Sequence, residues 1–537
     1  MKAKLLMAST VTLGILASFV FFIFYLIAFY TDAVNISLLI TLTVITNFIL
    51  WLISPAITDW MQKFFYKVTW LSFEEFTAQN KPVADFIKEV CSKHNIKIPR
   101  LRIIEDMNPT AYCYGSYPNN SRLVVSRGIF KYLDVEEQKA VVGHELGHII
   151  NKDFIIMTIA VTLVQVLYEV YFYLARVRKS RSSSKKGSSL VVIGLLSYVF
   201  YIIGTYLILY LSRTREYLAD RFAAEETGNP DALSVALVKI AYGIAAEANS
   251  ETADRLLAST RAMGIYDYKS ANAVGGSYKV AGKDITKVFL FDLFSPWAFF
   301  AEINSTHPLT GKRIKALCKY AVVLGKPSIF DFKAVAEQGK LLDKQRLYGE
   351  FYEGMVIYSL PALAIIFGLV NTLINPARYP LLIGLLGTAL VAQGLYKFQR
   401  KGGQPEKITV FELMQDPYAN PLRGRFVELE GKVIGKADAG SYFGEDVKMQ
   451  DKSGCLINLN YESPIPILGN MIFGLRQASK MIGKAGKAVG WFRRSSYQIV
   501  DLESVEIEGS LIKSYTRFWA LIVGSVMLAV GLFLLII

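Results

Sequence analysis

The stretch KAVVGHELGHIINKDF, residues 139–154, sets His144 and His148 four positions apart with Glu145 between them. On a helix, residues i and i+4 lie one above the other, so both imidazoles can be directed at one ion. A glutamate beside the first histidine sits where it can take a proton from a metal-bound water. The chemistry on offer is hydrolysis assisted by zinc. The competing reading is the solvated polar end of a membrane helix, since an apolar run begins directly after the motif.

A catalytic zinc takes three protein ligands and keeps a fourth position open. His94, His307 and the acidic residues remain to supply the third. Glu216, in SRTREYLADRFAA, is the best placed: its helix returns from a membrane hairpin whose outgoing arm follows the two histidines, and a hairpin brings its ends together. Asp220, four residues on, shares that helical face and can accept the second ring N–H of a ligating histidine. Taken alone, the two carboxylates also describe a solvated charged face.

The elements that must position these groups follow from the apolar pattern. The chain has 537 residues, 53% of them apolar, with a positive mean hydropathy, which favours a membrane protein over a purely soluble one. Runs at about 6–30, 34–54, 154–175, 190–211, 354–373, 380–396 and 518–537 can each cross a hydrocarbon core as a helix. The first exceeds the core of a signal peptide and lacks a small-residue cleavage site before Asp32, so it reads as a retained anchor. Gln165 and Glu169, inside the third run, are costly against lipid and are expected to face the bundle or a wet cavity.

The expected fold class is a multi-pass α-helical membrane protein carrying an α+β domain and a small C-terminal β-barrel. A transmembrane hairpin occupies 1–55. The α+β domain spans 56–350, interrupted by a membrane hairpin at 154–211; a further transmembrane hairpin fills 351–400, and a final helix 515–537. Within the α+β domain, RLRIIED, TAYCYG and RLVVSRGIF read as short strands. Asp134 and Glu137 form a capping-box pattern that starts a helix at the histidine motif. The Gly-rich stretch at 272–284 reads as a mobile loop. Between 405 and 514, RFVELEGKVIG, EDVKMQDKSGCLINLNY, KAVGWFRR and QIVDLESVEIEG alternate as strands of a small barrel of the oligonucleotide/oligosaccharide-binding shape. Within it, PIPILGNMIFGLRQASKMIGKAG either lies on a bilayer surface or caps the barrel. Trp491, Phe492, Arg493 and Arg494 read as a strand with one buried face.

The formal charge of +14 is concentrated beside the apolar runs without any nucleic-acid motif, so anionic lipid headgroups, not nucleic acid, are the expected partners. Lys2, Lys4, Lys63, Lys67, Arg346, Lys397, Arg400, Lys401, Lys513 and Arg517 flank one side of the membrane, which the positive-inside rule makes cytoplasmic. The basic loop 176–187 would fall on the opposite side and disagrees with that assignment. Four well-separated cysteines with no paired spacing fit neither a disulfide framework nor a thiolate metal site.

HELGHIINKDF, SRTREYLADRFAA and STHPLTGKRIKAL, in that order, resemble the HtpX-type integral-membrane zinc metalloproteases, relatives of the CAAX prenyl endopeptidases. The resemblance covers about 60–320. It implies a zincin-type domain in which His144, His148 and Glu216 hold one zinc ion per chain, Glu145 is the general base and Asp220 orients a ligand. His307, which read by itself structures a loop, would steady the oxyanion. Arg313 would assist it or form a structural ion pair. The family's edge strand carries an Asn-Ala segment beside the substrate; here Pro109 and Thr110 stand between Asn108 and Ala111, so the lining residues differ in detail. An extended substrate could still add as a strand along 111–115. Protein substrates, membrane proteins among them, cleavage in quality control, and a site on the cytoplasmic face of the cell membrane are the implied function. The alternatives are an inactive scaffold whose β-domain binds a partner, and a prenyl-protein protease, for which no feature recognising a lipidated C-terminus is visible.

Overall fold

In lipid every backbone amide must find its partner within its own segment, so the apolar runs can only be helices. The structure, a computed structural model, describes residues 2–537 apart from 31–33, 66–67, 178–184, 247–284, 401–402, 438–443 and 496. The Gly-rich 272–284 and most of the basic 176–187 therefore lie outside the described residues. Among those described, seven helices are long and apolar enough to span: Leu5–Ile27, Ile40–Gln62, Asp153–Ala175, Leu190–Thr227, Lys344–Ile374, Pro376–Lys397 and Thr516–Ile536.

Helices α1 (Lys2–Tyr30) and α2 (Val34–Phe65) precede a four-stranded sheet. The expected end of α2 near 54 is not a stop: the helix runs through Pro55. Its extra turns dock on the sheet made of β1 (Val68–Leu71), β2 (Arg100–Ile104), β3 (Ala111–Gly115) and β4 (Ser121–Ser126). Tyr114 donates to Asp59 at 2.6 Å, Arg122 pairs with Asp59 at 2.8 Å, and Arg102 donates to Gln62 at 2.7 Å. The membrane hairpin is thereby fastened to the soluble sheet by nearly buried charges rather than by a free linker.

The sheet order is β1-β2-β4-β3, with β2 and β4 parallel and β3 an antiparallel edge strand. Its inner face packs on α4 (Lys81–Lys93), whose buried residues Val83, Phe86, Ile87 and Val90 form one helical stripe. The same core includes α6 (Val135–Ile150), α8 (Lys185–Thr227) and α9 (Pro230–Ala246), with α3 (Phe73–Gln79) and α5 (Arg127–Tyr132) at its margin. α6 opens with the expected capping box, Asp134 and Glu137 each accepting from the other's backbone N–H. α7 (Asp153–Val177) and α8 form the membrane hairpin that joins the motifs. In α7 the buried stripe is Ala160, Val164, Leu167 and Val170, which leaves Gln165 on the exposed face and Glu169 half-buried. Of the two expected settings, the bundle interior is thereby excluded for Gln165, because helical phase places it opposite the packed stripe.

The second globular part is a closed five-stranded barrel. β6 (Arg425–Lys436), β7 (Val447–Asp451), β8 (Leu456–Asn460), β10 (Gln498–Ile507) and β9 (Ala485–Arg494) pair in that order, and β9 closes on β6. The parallel β8–β10 pair in an otherwise antiparallel ring, with a helical insert between β8 and β9, is the oligonucleotide/oligosaccharide-binding shape. β5 (Glu406–Lys407) and β11 (Ser510–Lys513) extend its edges. At 491–494 all four side chains are buried, so both faces of that strand are covered, not one. Trp491 packs on Phe398 and Phe426 outside the barrel, while Phe492 fills its core. That core continues into the α+β domain through Val288, Phe291, Trp297 and Leu309.

Candidate metal centre

Small residues on two helices make the site. Gly143 and Gly147 on α6 face Ala223 and Ala219 on α8; a Cβ at Gly147 would stand 3.1 Å from the Ala219 Cα. This close approach carries Glu216, one turn earlier on α8, to the histidines of α6. Their ligating atoms converge: His144 Nε2 to His148 Nε2 is 3.1 Å, His148 Nε2 to Glu216 Oε1 is 3.4 Å, and His144 Nε2 to Glu216 Oε2 is 3.5 Å. Ligands at about 2.0–2.1 Å from a tetrahedral ion are separated by about 3.3 Å, so the triangle fits such an ion with one position open. Among the described residues, His144, His148 and Glu216 are the group of histidines and carboxylates so arranged.

Each histidine is oriented by its other nitrogen. His144 Nδ1 lies 3.0 Å from Asp220 Oδ1, and His148 Nδ1 lies 2.6 Å from Asp153 Oδ2. Carboxylates in these positions fix the ring and leave Nε2 as the ligand. Asp220 was legible in the sequence; Asp153 was not. Its place depends on the turn at Asn151 and Lys152, where Lys152 takes a left-handed φ of 59°, breaks α6 from α7 and swings Asp153 back to His148. The signal was a carboxylate just beyond the second histidine. Arg215, the neighbour of Glu216, clamps Asp153 in turn.

Glu145 is 1% exposed, and neither carboxylate oxygen has a hydrogen-bond partner among the described residues. Burial lifts its pKa above the usual carboxylate range, against the pull of His144 and His148. Burial alone would depress His144, but Asp220 and Glu216 outweigh it and lift the imidazole to about 9. His148 moves the same way, burial being outweighed by its bond to Asp153. Behind Glu145, the Cys113 thiol on β3 donates to its carbonyl oxygen at 3.3 Å.

His307 reaches the cluster from the loop before helix Thr310–Val323, its Nδ1 3.1 Å from Glu216 Oε2. Arg213 holds that loop by donating to the carbonyls of Glu302 and Ser305, both at 2.7 Å. Arg313 forks onto Asp220, at 2.9 and 2.5 Å, with one nitrogen 3.4 Å from Glu216. Of its two sequence readings, the structural ion pair is the one the geometry favours. Asn108 and Ala111 are not presented to the cluster as side chains. The Asn108 amide donates to Asp106, and Ala111 is fully buried in the core. What β3 offers is its backbone edge.

Residues 77–321 match peptidase family M48. The chain is 30% identical over 193 residues to a protease HtpX homolog of Methanothermobacter thermautotrophicus, covering 36% of this chain and 69% of that protein. It is 30% identical over 253 residues to the homolog of Bifidobacterium longum, covering 46% and 73%, and 29% identical over 257 residues to that of Aquifex aeolicus, covering 45% and 72%. The chain belongs to the HtpX-type proteases of family M48. This M48 protease is thus an integral-membrane metalloprotease acting on protein substrates. The family match ends at 321, so the barrel lies outside it.

Proposed function

We propose that this M48 protease is a zinc-dependent endopeptidase that cuts membrane or misfolded proteins at the cytoplasmic face of the cell membrane, in protein quality control. The observation that carries the reading is the triangle of His144, His148 and Glu216 with the unpaired Glu145 carboxylate beside it. Held there, one zinc ion per chain would supply a Lewis acid for a peptide carbonyl and lower the pKa of a water molecule.

The chain's own groups account for the rest. Asp220 and Asp153 keep the two rings oriented with Nε2 inward. Glu145, its proton affinity raised by burial, accepts a proton from the attacking water and returns it to the leaving amine. His307 is placed to donate toward the oxyanion that develops on the carbonyl. An extended substrate pairs with the edge strand β3, so recognition rests on backbone shape. The histidine motif ends within a few residues of Asp153, where α7 enters its span, which brings the site close to the membrane surface. The flanking basic residues support a cytoplasmic face.

The test is cleavage of casein by the detergent-purified protein beside Glu145→Gln, with zinc measured in both. Loss of roughly 10²- to 10⁴-fold in rate with one zinc per chain retained supports the reading. Equal cleavage by both proteins, or no zinc in either, overturns it.

A further inference from the structure

The insert between β8 and β9 has two faces with opposite fates. Inward, Phe473, Ala478 and Met481 enter the barrel core, and Phe473 stacks on Tyr461 with ring centroids 3.7 Å apart. Asn470 locks this face, accepting from the Ser463 N–H and donating to Glu445 and Glu462. So the insert does cap the barrel. Outward, however, it presents Ile465, Ile467, Leu468, Met471, Ile472 and Leu475 together, with Ile467 85% exposed. Ile467 also holds φ 62°, a conformation costly for a β-branched residue, which turns its side chain away from the barrel. Arg476 and Lys480 flank this surface and are exposed.

What covers it follows from its neighbour. Trp519, in the first turn of the membrane helix Thr516–Ile536, donates its indole N–H to the Ser463 carbonyl at 3.0 Å. The Tyr515 N–H donates to the Glu462 carbonyl at 2.8 Å. The apolar surface therefore starts beside the point where a spanning helix leaves the bilayer, at the depth where tryptophan and tyrosine settle.

We propose that residues 464–482 form an interfacial membrane anchor, with the outward apolar side chains sunk among the lipid headgroups and upper acyl chains, and Arg476 and Lys480 on anionic headgroups. The barrel is then held against the membrane at two adjoining places, the helix Thr516–Ile536 and this insert.

The test uses the full-length protein in vesicles of phosphatidylcholine and phosphatidylglycerol. An environment-sensitive maleimide dye is placed on Leu468→Cys, Ile472→Cys or, as a control, the exposed Lys452→Cys. The native cysteines are all buried, so the parent protein gives the background. The expected result is blue-shifted emission at 468 and 472, quenched by doxyl lipids and several-fold less by iodide than the dye at 452. Iodide quenching equal to the control overturns the proposal. So does shielding from both quenchers, which would mean that a protein covers the surface. If labelled Leu468→Cys loses the barrel's fold, seen as a lower Tm and faster proteolysis than in the parent, the Ile472→Cys result decides.

Discussion

The guanidinium of Arg494, at the end of barrel strand β9, donates to the carbonyl oxygen of Val288 in the α+β domain at 3.0 Å. The same side chain is fully buried, donates to the Met414 carbonyl, stacks on Phe291 and lies 3.9 Å from Asp292. Asp292 in turn accepts from the Gly311 N–H, at the start of the helix that carries Arg313. The barrel is therefore part of the scaffold behind the site.

Arg494→Met keeps volume but strands buried carbonyls and the Asp292 carboxylate. We expect a loss of about 3 kcal/mol. Thermal unfolding in detergent would register it as a lower Tm, and limited proteolysis would cut the 398–405 connection sooner. An unchanged Tm with the same proteolytic resistance would remove Arg494 from the interface.

The two carboxylates behind the histidines each hold one ring and one buried arginine. Asp153→Asn is expected to weaken zinc binding by roughly 10- to 100-fold in a chelator competition, through loss of His148 orientation. Asp220→Asn should do the same, and both changes should also destabilise the fold, because Asp220→Asn leaves the buried Arg313 and Asp153→Asn the buried Arg215 without its carboxylate. An unchanged Tm and zinc affinity in either variant would contradict this placement of its carboxylate.

Much of this was legible because the pattern is local. Seven apolar runs, the capping box of Asp134 and Glu137, and the helical spacing of His144 and His148 each depend on residues within a turn or a span of one another. Glu216 could be placed through the hairpin alone. Asp153 could not, since its position hangs on one left-handed residue, Lys152. The docking of Asp59 on Arg102 and Arg122 was hidden by Ser54-Pro55, which resembles a helix stop and is not one in this long helix. The burial of both faces at 491–494 depends on the 397–426 segment over Trp491 and Arg493 and on Val288, some 200 residues away, at Arg494.

Burial pushes the Cys91 thiol up to about 12 and Cys318 to about 11, against 9.0 for a free thiol. A raised folded value gives stability that is complete below pH 9 and is lost as pH rises through the folded values. We expect Tm to fall between about pH 9 and 12, less steeply in Cys91→Ala, and maleimide to leave Cys91, Cys113 and Cys318 unmodified at pH 7 until the protein unfolds. Rapid labelling of the native protein would contradict the buried placement of these residues.

Gly147 and Gly143 provide a matched pair for the helix contact that delivers Glu216. An added Cβ at Gly147 would meet the Ala219 Cα at 3.1 Å and the Phe222 Cβ at 3.2 Å, so α8 must give by a few tenths of an ångström. At Gly143 the closest atom, the Ala223 Cα, is 3.4 Å away, which is ordinary contact. In both places alanine gains about 1 kcal/mol of helix propensity. Gly143→Ala is therefore expected to be neutral or slightly stabilising with unchanged zinc affinity. Gly147→Ala should spend that gain on overpacking and shift Glu216, one turn away, off the triangle it shares with His144 and His148. Zinc affinity should fall roughly tenfold while all three ligands remain in place. Identical affinities for the two variants would mean that the spacing of α6 and α8 does not set the site.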